Sequence, residues 1–322
     1  MKIETLFTLK TPYREDLSLD AAVFGDAGAA PCCAIVGSMR GNEVQQTFIA
    51  ASMVRRLGAL EDEGLLDPSK RIIAVPSVNA FSMNVHKRFW PVDNTDINRM
   101  FPGYGKGETT QRIADGLFQA VQGYPFGIQL ASYYLRGAFV PHVRITDEGR
   151  LSQESLELAG LFGLPATLLR EPSTFDTTTL NYNWQVWDTH AFSVFSRATG
   201  AQDPESAAAA VDGIVRFLAR IGAVREGTLG VAAKTAPAEK PLHVSEEALV
   251  DVRAEHAAGF FEQHARPGDH VRAGDVLARV LDTFDCHVKE ELVSPVDGLV
   301  FFSRTAPLVN QYSIAFKVAP NA

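Results

Sequence analysis

One short stretch of the sequence brings together side chains that could bind an anion. GSMRGNE at 37–43 places Arg40 three residues before Glu43. A guanidinium can donate two parallel hydrogen bonds to a carboxylate, so Arg40 can pair with Glu43 and hold a positive charge beside it. Glu43 also opens a predicted helix, whose dipole favours a carboxylate regardless of any ligand. The stretch therefore predicts a cationic pocket that accepts carboxylates, with a structural pairing as the alternative.

A second stretch, PSVNAFSMNVHKRFWPVDNTDINRMFPG at 76–103, carries several polar side chains close together. His86 and Arg88 lie in its middle, and Asn98 and Arg99 lie near its end. These side chains could contact a ligand, or they could order the turn that ends the stretch. The aromatic residues between them are expected to pack in the core rather than to form a stacking surface.

Together the two stretches resemble motifs of the succinylglutamate desuccinylase and aspartoacylase family, zinc deacylases with a carboxypeptidase-like α/β fold. The family motif G-x-x-H-G-(D/N)-E corresponds to 37–43, and D-(L/I)-N-R-x-F-P-G corresponds to DINRMFPG at 96–103. The resemblance covers most of the chain, including its C-terminal part. It implies a hydrolase that cleaves the amide or ester between an acyl group and an amino-acid-like carboxylate.

The resemblance also implies a role for individual residues. Arg99 would hold the substrate carboxylate, and Asn98 would position the substrate. Arg88 would polarise the scissile carbonyl, while Glu43 would be a metal ligand. His142 follows the strand of the family's third ligand, and it is a candidate for substrate contact or for a structural hydrogen bond.

The chain departs from the family where zinc and the general base would be. Arg40 stands at the first ligand histidine, Ala131 aligns with the third ligand, and Phe195 aligns, within a residue or two, with the general base. Catalytic zinc takes three protein ligands and lowers the pKa of its bound water to about 7. Arg40 keeps a positive charge near the metal position as a candidate catalytic group, but a guanidinium cannot generate hydroxide. Zinc is the cofactor that the resemblance implies, and Arg40 and Ala131 argue against the family's standard site.

Two alternatives follow from these departures. In the first, the metal site is rebuilt from Glu43 with His86 and His142, although no HxH or HExxH spacing joins them. In the second, the protein is a catalytically degenerate homologue that binds a small carboxylate or partners an active paralogue.

Apolar runs and helical periodicity alternate in the first two thirds of the chain, which predicts an α/β domain with a mixed, largely parallel sheet flanked by helices. Strands are predicted at 32–36, 71–75, 127–134, 166–169 and 192–195. Helices are predicted over 43–64 and from Asp203, which would cap a helix with Pro204 at its first position.

The last part of the chain has a different pattern. Residues 226–246 lose periodicity, which predicts a linker between a domain at 1–225 and a β module at 247–322. Short strands with dense Gly and Pro predict a small barrel-sandwich there. RPGDHVRAGDVLARV resembles modules that carry biotin or lipoate, but the lysine signature of those carriers is absent, so a carrier role is not expected.

Composition excludes several classes of protein. The net charge of −8, without a basic run, argues against nucleic acid as a partner. Three cysteines fit neither a disulfide framework nor a CxxC metal site, and no apolar stretch is long enough for a signal peptide or a membrane span. We therefore expect a cytoplasmic protein that acts on a small carboxylate. A homo-oligomer or a paralogue partner stays open.

Overall fold

The structure of the chain is a computed structural model, and it describes residues 1–12, 15–146, 153–197, 202–225, 236–238 and 241–321. The strands are β1 Lys2–Leu9, β2 Leu17–Phe24, β3 Ala30–Ser38, β4 Lys70–Ser77, β5 Phe126–Ala131, β6 Gly137–Phe139, β7 His142–Thr146, β8 Ala166–Arg170, β9 His190–Phe195, β10 Leu242–Ser245, β11 Val250–Arg253, β12 Gly259–Gln263, β13 His270–Val271, β14 Val276–Leu281, β15 Val288–Val293, β16 Gly298–Arg304, β17 Leu308–Val309 and β18 Ile314–Pro320. The helices are α1 Val44–Asp62, α2 Ala80–Asn84, α3 Thr109–Val121, α4 Gln153–Gly160, α5 Leu180–Val186 and α6 Pro204–Arg220, with 3-10 turns at Ile97–Arg99 and Glu246–Ala248.

The large sheet has the strand order β1-β2-β4-β3-β5-β9-β7-β8-β10. The pairs β3–β4, β3–β5, β5–β9, β7–β8 and β8–β10 are parallel, whereas β1–β2, β2–β4 and β7–β9 are antiparallel. The predicted mixed, largely parallel sheet is therefore confirmed.

The central strands are buried on both faces. Along β3, Ile35 packs in the cluster that α1 and α6 cover, while Ala34 and Val36 pack in the cluster that α3 and α5 cover on the opposite face. Successive side chains of a strand point to opposite faces, so a strand between two helical layers needs an unbroken apolar run. This requirement explains the apolar sequence of β3.

The two helices predicted from the sequence are both present in the structure. The predicted helix over 43–64 is α1, and the predicted helix after Asp203 is α6, with the Asp203 carboxylate accepting a 3.0 Å hydrogen bond from Ser206 N. The strand predicted at 127–134 is shorter, because β5 ends at Ala131 and the chain turns into the site there.

The C-terminal residues form the predicted small β module. One sheet has the order β11-β18-β16-β13 and a second has β15-β14-β12-β17, with the module core between them. Strand β6 pairs with β16 and so connects the module to the α/β region.

Strand β10 lies within the segment predicted as a linker. It pairs in parallel with β8, so this part of the segment belongs to the large sheet. The boundaries at 225 and 247 stay a prediction, since strand pairing does not test independent folding. Within the part of the chain that the structure describes, none of the helices combines the length and apolar character that a bilayer-spanning helix requires.

Candidate functional site

A polar cleft lies where several strands of the large sheet end. Its volume is about 370 Å³. Parallel α/β sheets bind ligands beyond the carboxyl ends of their strands, because the loops there converge. Five arginines and four acidic residues line the cleft: Arg40, Arg88, Arg99, Arg144 and Arg170, with Glu43, Asp96, Asp176 and Glu246.

Arg40 joins the two sequence motifs. Its Nη1 donates to Glu43 Oε1 at 2.9 Å, and its Nε and Nη2 donate to Asp96 Oδ2 at 3.0 and 2.8 Å. Burial opposes the Arg40 charge, but the two carboxylates outweigh it and raise the pKa of the guanidinium. Arg40 is therefore a permanent cation held between two anions.

The Glu43 carboxylate is hydrogen-bonded at both oxygens. Oε2 accepts from the backbone N–H groups of Met39 and Arg40 at 2.9 and 3.0 Å. Oε1 accepts from Arg40 and also from Ser132 Oγ at 2.6 Å. Glu43 is only 2% exposed, so these contacts replace the water that a free carboxylate would bind.

A close backbone approach brings Arg88 next to Arg40. Gly41 N donates to Arg88 O at 2.9 Å, and a Cβ on Gly41 would lie 2.3 Å from Lys87 O, so this position requires glycine. Among the described residues Arg88 has no carboxylate within ion-pair distance; its guanidinium lies 5.0 Å from the Phe89 ring centroid. Partial burial and the neighbouring Arg40 charge lower the pKa of Arg88.

Asn98 is oriented by its neighbours. Its Oδ1 accepts from Gln129 Nε2 at 3.3 Å and from Leu180 N at 3.4 Å, and its backbone N–H donates to Asp96 Oδ1 at 3.1 Å. The amide oxygen is thus occupied, which leaves the amide NH₂ as the group that can meet a ligand.

Arg99 is a partly open arginine in the motif at 96–103. Its side chain is 40% exposed, it donates to Phe175 O, and Asp176 lies 3.9 Å away. Asp176 has stronger partners, because Ser173 Oγ donates at 2.8 Å and Arg170 Nη2 at 3.1 Å. Although burial opposes it, these donors lower the pKa of Asp176, so its carboxylate is ionised at neutral pH. Arg99 is therefore only loosely paired.

Arg144 rests on an aromatic stack. His142 and Phe195 rings lie parallel, with centroids 4.6 Å apart, and the Arg144 guanidinium carbon lies 4.8 Å from the Phe195 centroid. Arg144 makes no ion pair among the described residues, and its Nε is buried without a hydrogen-bond partner. Phe195, at the place that the resemblance assigns to the general base, is thus a support for a cation.

His142 itself does not line the cleft. It is fully buried, and its Nδ1–H donates to Val140 O at 2.8 Å, which leaves Nε2 as an unpartnered acceptor. Burial lowers its pKa to about 3. Its place in the aromatic stack supports the structural alternative. The predicted substrate contact of His142 stays a prediction, since the ring is not in the cleft lining.

The side chains around Glu43 do not fit a zinc site. A zinc ion needs free lone pairs from about three ligands, whereas Glu43 is saturated with donors and has a guanidinium against it. His86 is exposed outside the cleft. Asp282, Asp285 and His287 form the only group of three or more candidate metal ligands among the described residues, and they lie at the surface of the β module. Glu43, His86 and His142 are not brought together.

Sequence reasoning identified a minority of the residues that line the cleft. Arg40, Glu43, Arg88, Asn98 and Arg99 all line it, although their roles are not tested by this placement. The polar lining residues that it missed include Asp96, Gln129, Ser132, Arg144, Arg170 and Asp176. The alternation of a strand, which puts Arg144 on the same face as His142, was the one signal that could have found Arg144.

Comparison with known proteins gives three findings. The succinylglutamate desuccinylase/aspartoacylase catalytic domain matches residues 29–219, more than half of the chain. The N-alpha-acetyl-L-2,4-diaminobutyric acid deacetylase of Halomonas elongata is 28% identical over 289 residues, 85% of this chain and 79% of the relative.

Solved structures share the fold. The product-bound ectoine utilization protein EutE (DoeB) from Ruegeria pomeroyi matches with a TM-score of 0.77 at 18% identity. The superposition covers 99% of this chain and 95% of the EutE chain. A succinylglutamate desuccinylase/aspartoacylase from Rhodobacter sphaeroides has a TM-score of 0.76 at 21% identity, with coverage of 98% and 94%. At these identities the likeness establishes the architecture alone.

Proposed function

The chain belongs to the succinylglutamate desuccinylase/aspartoacylase family, and we propose that its cleft binds an acylated amino acid by the carboxylate and releases the acyl group by hydrolysis. One observation carries the substrate class: Arg88 and Arg144 face the same cleft without a carboxylate partner among the described residues, and Arg99 is loosely paired. Unpaired guanidinium groups in a partly desolvated cleft are costly unless an anion binds there.

The arginines fall into two groups, which suggests a direction for the ligand. Arg99, Arg144 and Arg170 surround Asp176 on one side of the cleft. Arg88 adjoins Arg40 on the side of Glu43. In our proposal the first group holds the carboxylate of the amino acid, and Arg88 faces the acyl carbonyl, where it stabilises negative charge as water attacks.

The described side chains do not fit zinc at Glu43, so this proposal assigns no step to a metal. A second candidate is favoured by the same geometry: a protein that binds the acylated amino acid without hydrolysing it. Saturation of Glu43 by Arg40 and Ser132 supports this candidate, because neither a metal-bound water nor a free base is provided there.

Binding is measured first, by titration calorimetry with N-acetyl-L-2,4-diaminobutyric acid, the compound named for the Halomonas elongata relative, and with other N-acylated amino acids. We expect saturable binding that persists in excess EDTA and falls at least tenfold in Arg99→Ala. Arg279→Ala, an arginine of the β module that is paired with Glu291, is the matched control and should bind normally. Absence of binding across the panel, or equal binding by Arg99→Ala, would contradict the carboxylate proposal.

Turnover is measured separately, by mass spectrometry of the free amino acid over hours with and without EDTA. Release that persists in EDTA supports hydrolysis by this cleft. Binding without release supports the second candidate. Release that EDTA abolishes and zinc restores would overturn the conclusion that the cleft does not fit a metal.

The partner implied by this cleft is a small carboxylate. We also propose the cytoplasm as its compartment, which the unpaired state of Cys32, Cys33 and Cys286 supports.

A further inference from the structure

A second cavity of about 250 Å³ lies apart from the arginine cleft. The β1–β2 hairpin, the residues that follow β4, and helix α3 form its walls. Its apolar lining includes Phe7, Leu19, Phe81, Trp90 and Ile113. No residue that the structure describes lines both this cavity and the arginine cleft.

Two polar groups at this cavity have no partner within the described residues. Asn79 Nδ2 and Trp90 Nε1 are both buried and unbonded, and the two residues are 1% and 4% exposed. The orientation of the Asn79 amide follows from its oxygen, which accepts from Ser82 N at 3.2 Å as the cap of α2. Both groups are donors, and a buried donor without an acceptor is unfavourable.

The charge of the cavity argues for a neutral ligand. Among the residues that the structure describes, no lysine or arginine lines it. Asp16 is the one charged residue in this described lining, and it is exposed and paired with Lys10 at 2.5 Å. An anion would lose its hydration without gaining a cation, whereas a neutral carbonyl oxygen could accept from the two N–H groups.

The size of the cavity sets the scale of the ligand. An engineered apolar cavity of roughly 150 Å³ holds benzene, so 250 Å³ has room for a ring with a short substituent. Phe81 and Trp90 already contact each other with centroids 5.4 Å apart, which gives the cavity an aromatic wall.

We propose that this cavity is a second binding site, which takes a small neutral molecule with an apolar ring and a carbonyl oxygen that accepts from Trp90 Nε1 and Asn79 Nδ2. The site does not depend on the proposed function of the arginine cleft. Trp90 lies two residues after Arg88, which lines the arginine cleft.

Acetophenone is the probe, because it is a neutral ring with one carbonyl. The chain has three tryptophans, so a ¹⁵N-labelled sample shows three indole N–H resonances, and Trp90→Phe identifies one of them. We expect acetophenone to shift the Trp90 resonance saturably. The Trp184 resonance should not move, because its N–H already donates to Val121 O at 3.2 Å.

Two controls separate this site from others. Benzoate has the same ring but a negative charge, and it should leave the Trp90 resonance in place. Trp187→Phe removes an exposed indole and should bind acetophenone normally, whereas Trp90→Phe should bind it at least threefold more weakly. Asn79→Ser keeps an oxygen that can cap α2 and removes the amide donor without adding a charge, so it provides an independent test if Trp90→Phe folds poorly.

The proposal is overturned if the Trp90 resonance does not shift at millimolar acetophenone. It is equally overturned if Trp90→Phe and Asn79→Ser, both folded by circular dichroism, bind acetophenone as the unchanged protein does.

Discussion

Arg40 is bonded to two carboxylates in a site that is mostly closed to water. Its side chain is 13% exposed, and those of Glu43 and Asp96 are 3% and 16% exposed. Such an ion pair contributes little relative to an apolar substitute, but removal of one partner leaves an uncompensated charge. The stability of the motif at 37–43 should therefore depend on the cation.

We predict that Arg40→Met lowers the free energy of unfolding at neutral pH by about 3 kcal/mol, because Glu43 and Asp96 lose their shared partner. Urea unfolding followed by circular dichroism gives the value. Arg253→Met is the control, because it breaks an ion pair with Asp251 in which the Arg253 side chain is 42% exposed. It should lower the free energy of unfolding by less than about 1 kcal/mol. Similar losses in the two variants would show that the Arg40 pairs are no stronger than surface pairs.

His142 should make the protein less stable in mild acid. Burial lowers its pKa from 6.5 to about 3, and the Arg144 charge adds to the shift. The other groups against the ring are the aromatic side chains Tyr133, Phe139, Phe195 and Phe301. Below about pH 6.5 the unfolded chain takes up a proton that the folded protein excludes, so this contribution falls by about 1.4 kcal/mol per pH unit until about pH 3.

His142→Phe removes this dependence while it keeps an aromatic ring in the stack. Between about pH 7.5 and about pH 5.5 the unchanged protein should lose about 1.4 kcal/mol more stability than the variant. The other seven of the eight histidines are the same in both proteins, so the difference isolates His142. Parallel losses in urea unfolding would contradict a depressed pKa.

Strand pairing decides where the cations of the cleft lie. The antiparallel register of β7 and β9 sets His142 opposite Phe195, and Arg144 follows two residues later on the same face. The stack that supports the Arg144 guanidinium is therefore made by two strands that are distant in the chain. A change in the ring at 195 should act on binding through Arg144.

We predict that Phe195→Leu weakens carboxylate binding by about two- to fivefold, the equivalent of a lost cation–π contact of about 0.5–1 kcal/mol. Calorimetric dissociation constants for the N-acylated amino acids that bind the unchanged protein provide the measurement. Phe192→Leu is the matched control, since Phe192 lies on the same strand but packs under α6. If both variants lose stability but keep full affinity, Phe195 is only a packing residue.

The β module is attached to the α/β region through a tight contact. Strand β6 pairs with β16, and Phe139 packs on Phe302 with ring centroids 4.5 Å apart. A Cβ added at Gly137 would lie 2.3 Å from both the Phe302 ring and Ser303 O. The contact between the two parts of the molecule therefore depends on glycine at this position.

We predict that Gly137→Ala lowers the free energy of unfolding by about 1–3 kcal/mol, as overpacking does, and speeds proteolysis between the α/β region and the module. Gly58 lies in α1, and a Cβ added there would meet open space. Gly58→Ala should therefore leave the free energy of unfolding unchanged or raise it by about 0.5–1 kcal/mol. Urea unfolding and timed proteolysis of both variants test this. Unchanged stability of Gly137→Ala would mean that β6 and β16 can shift apart freely.

Local patterns along the chain were enough to predict the elements that depend on neighbouring residues. An apolar run such as β3 must be covered on both faces, and the periodicity of α1 and the cap at Asp203 specify helices locally. The two motifs at 37–43 and 96–103 indicated the family and part of the cleft, because each is contiguous. Residues 242–245 lacked such a pattern, and their strand was missed.

Contacts between side chains that are distant in the chain could not be predicted, because folding brings them together. Arg144, Arg170 and Glu246 come from β7, β8 and the turn after β10, and strand order alone makes them neighbours. Glu43 reads as a metal ligand in the sequence, yet Ser132, distant in the chain, completes the hydrogen bonds that occupy it. The state of a buried polar group depends on partners that folding supplies from other elements, and local sequence patterns do not contain that information.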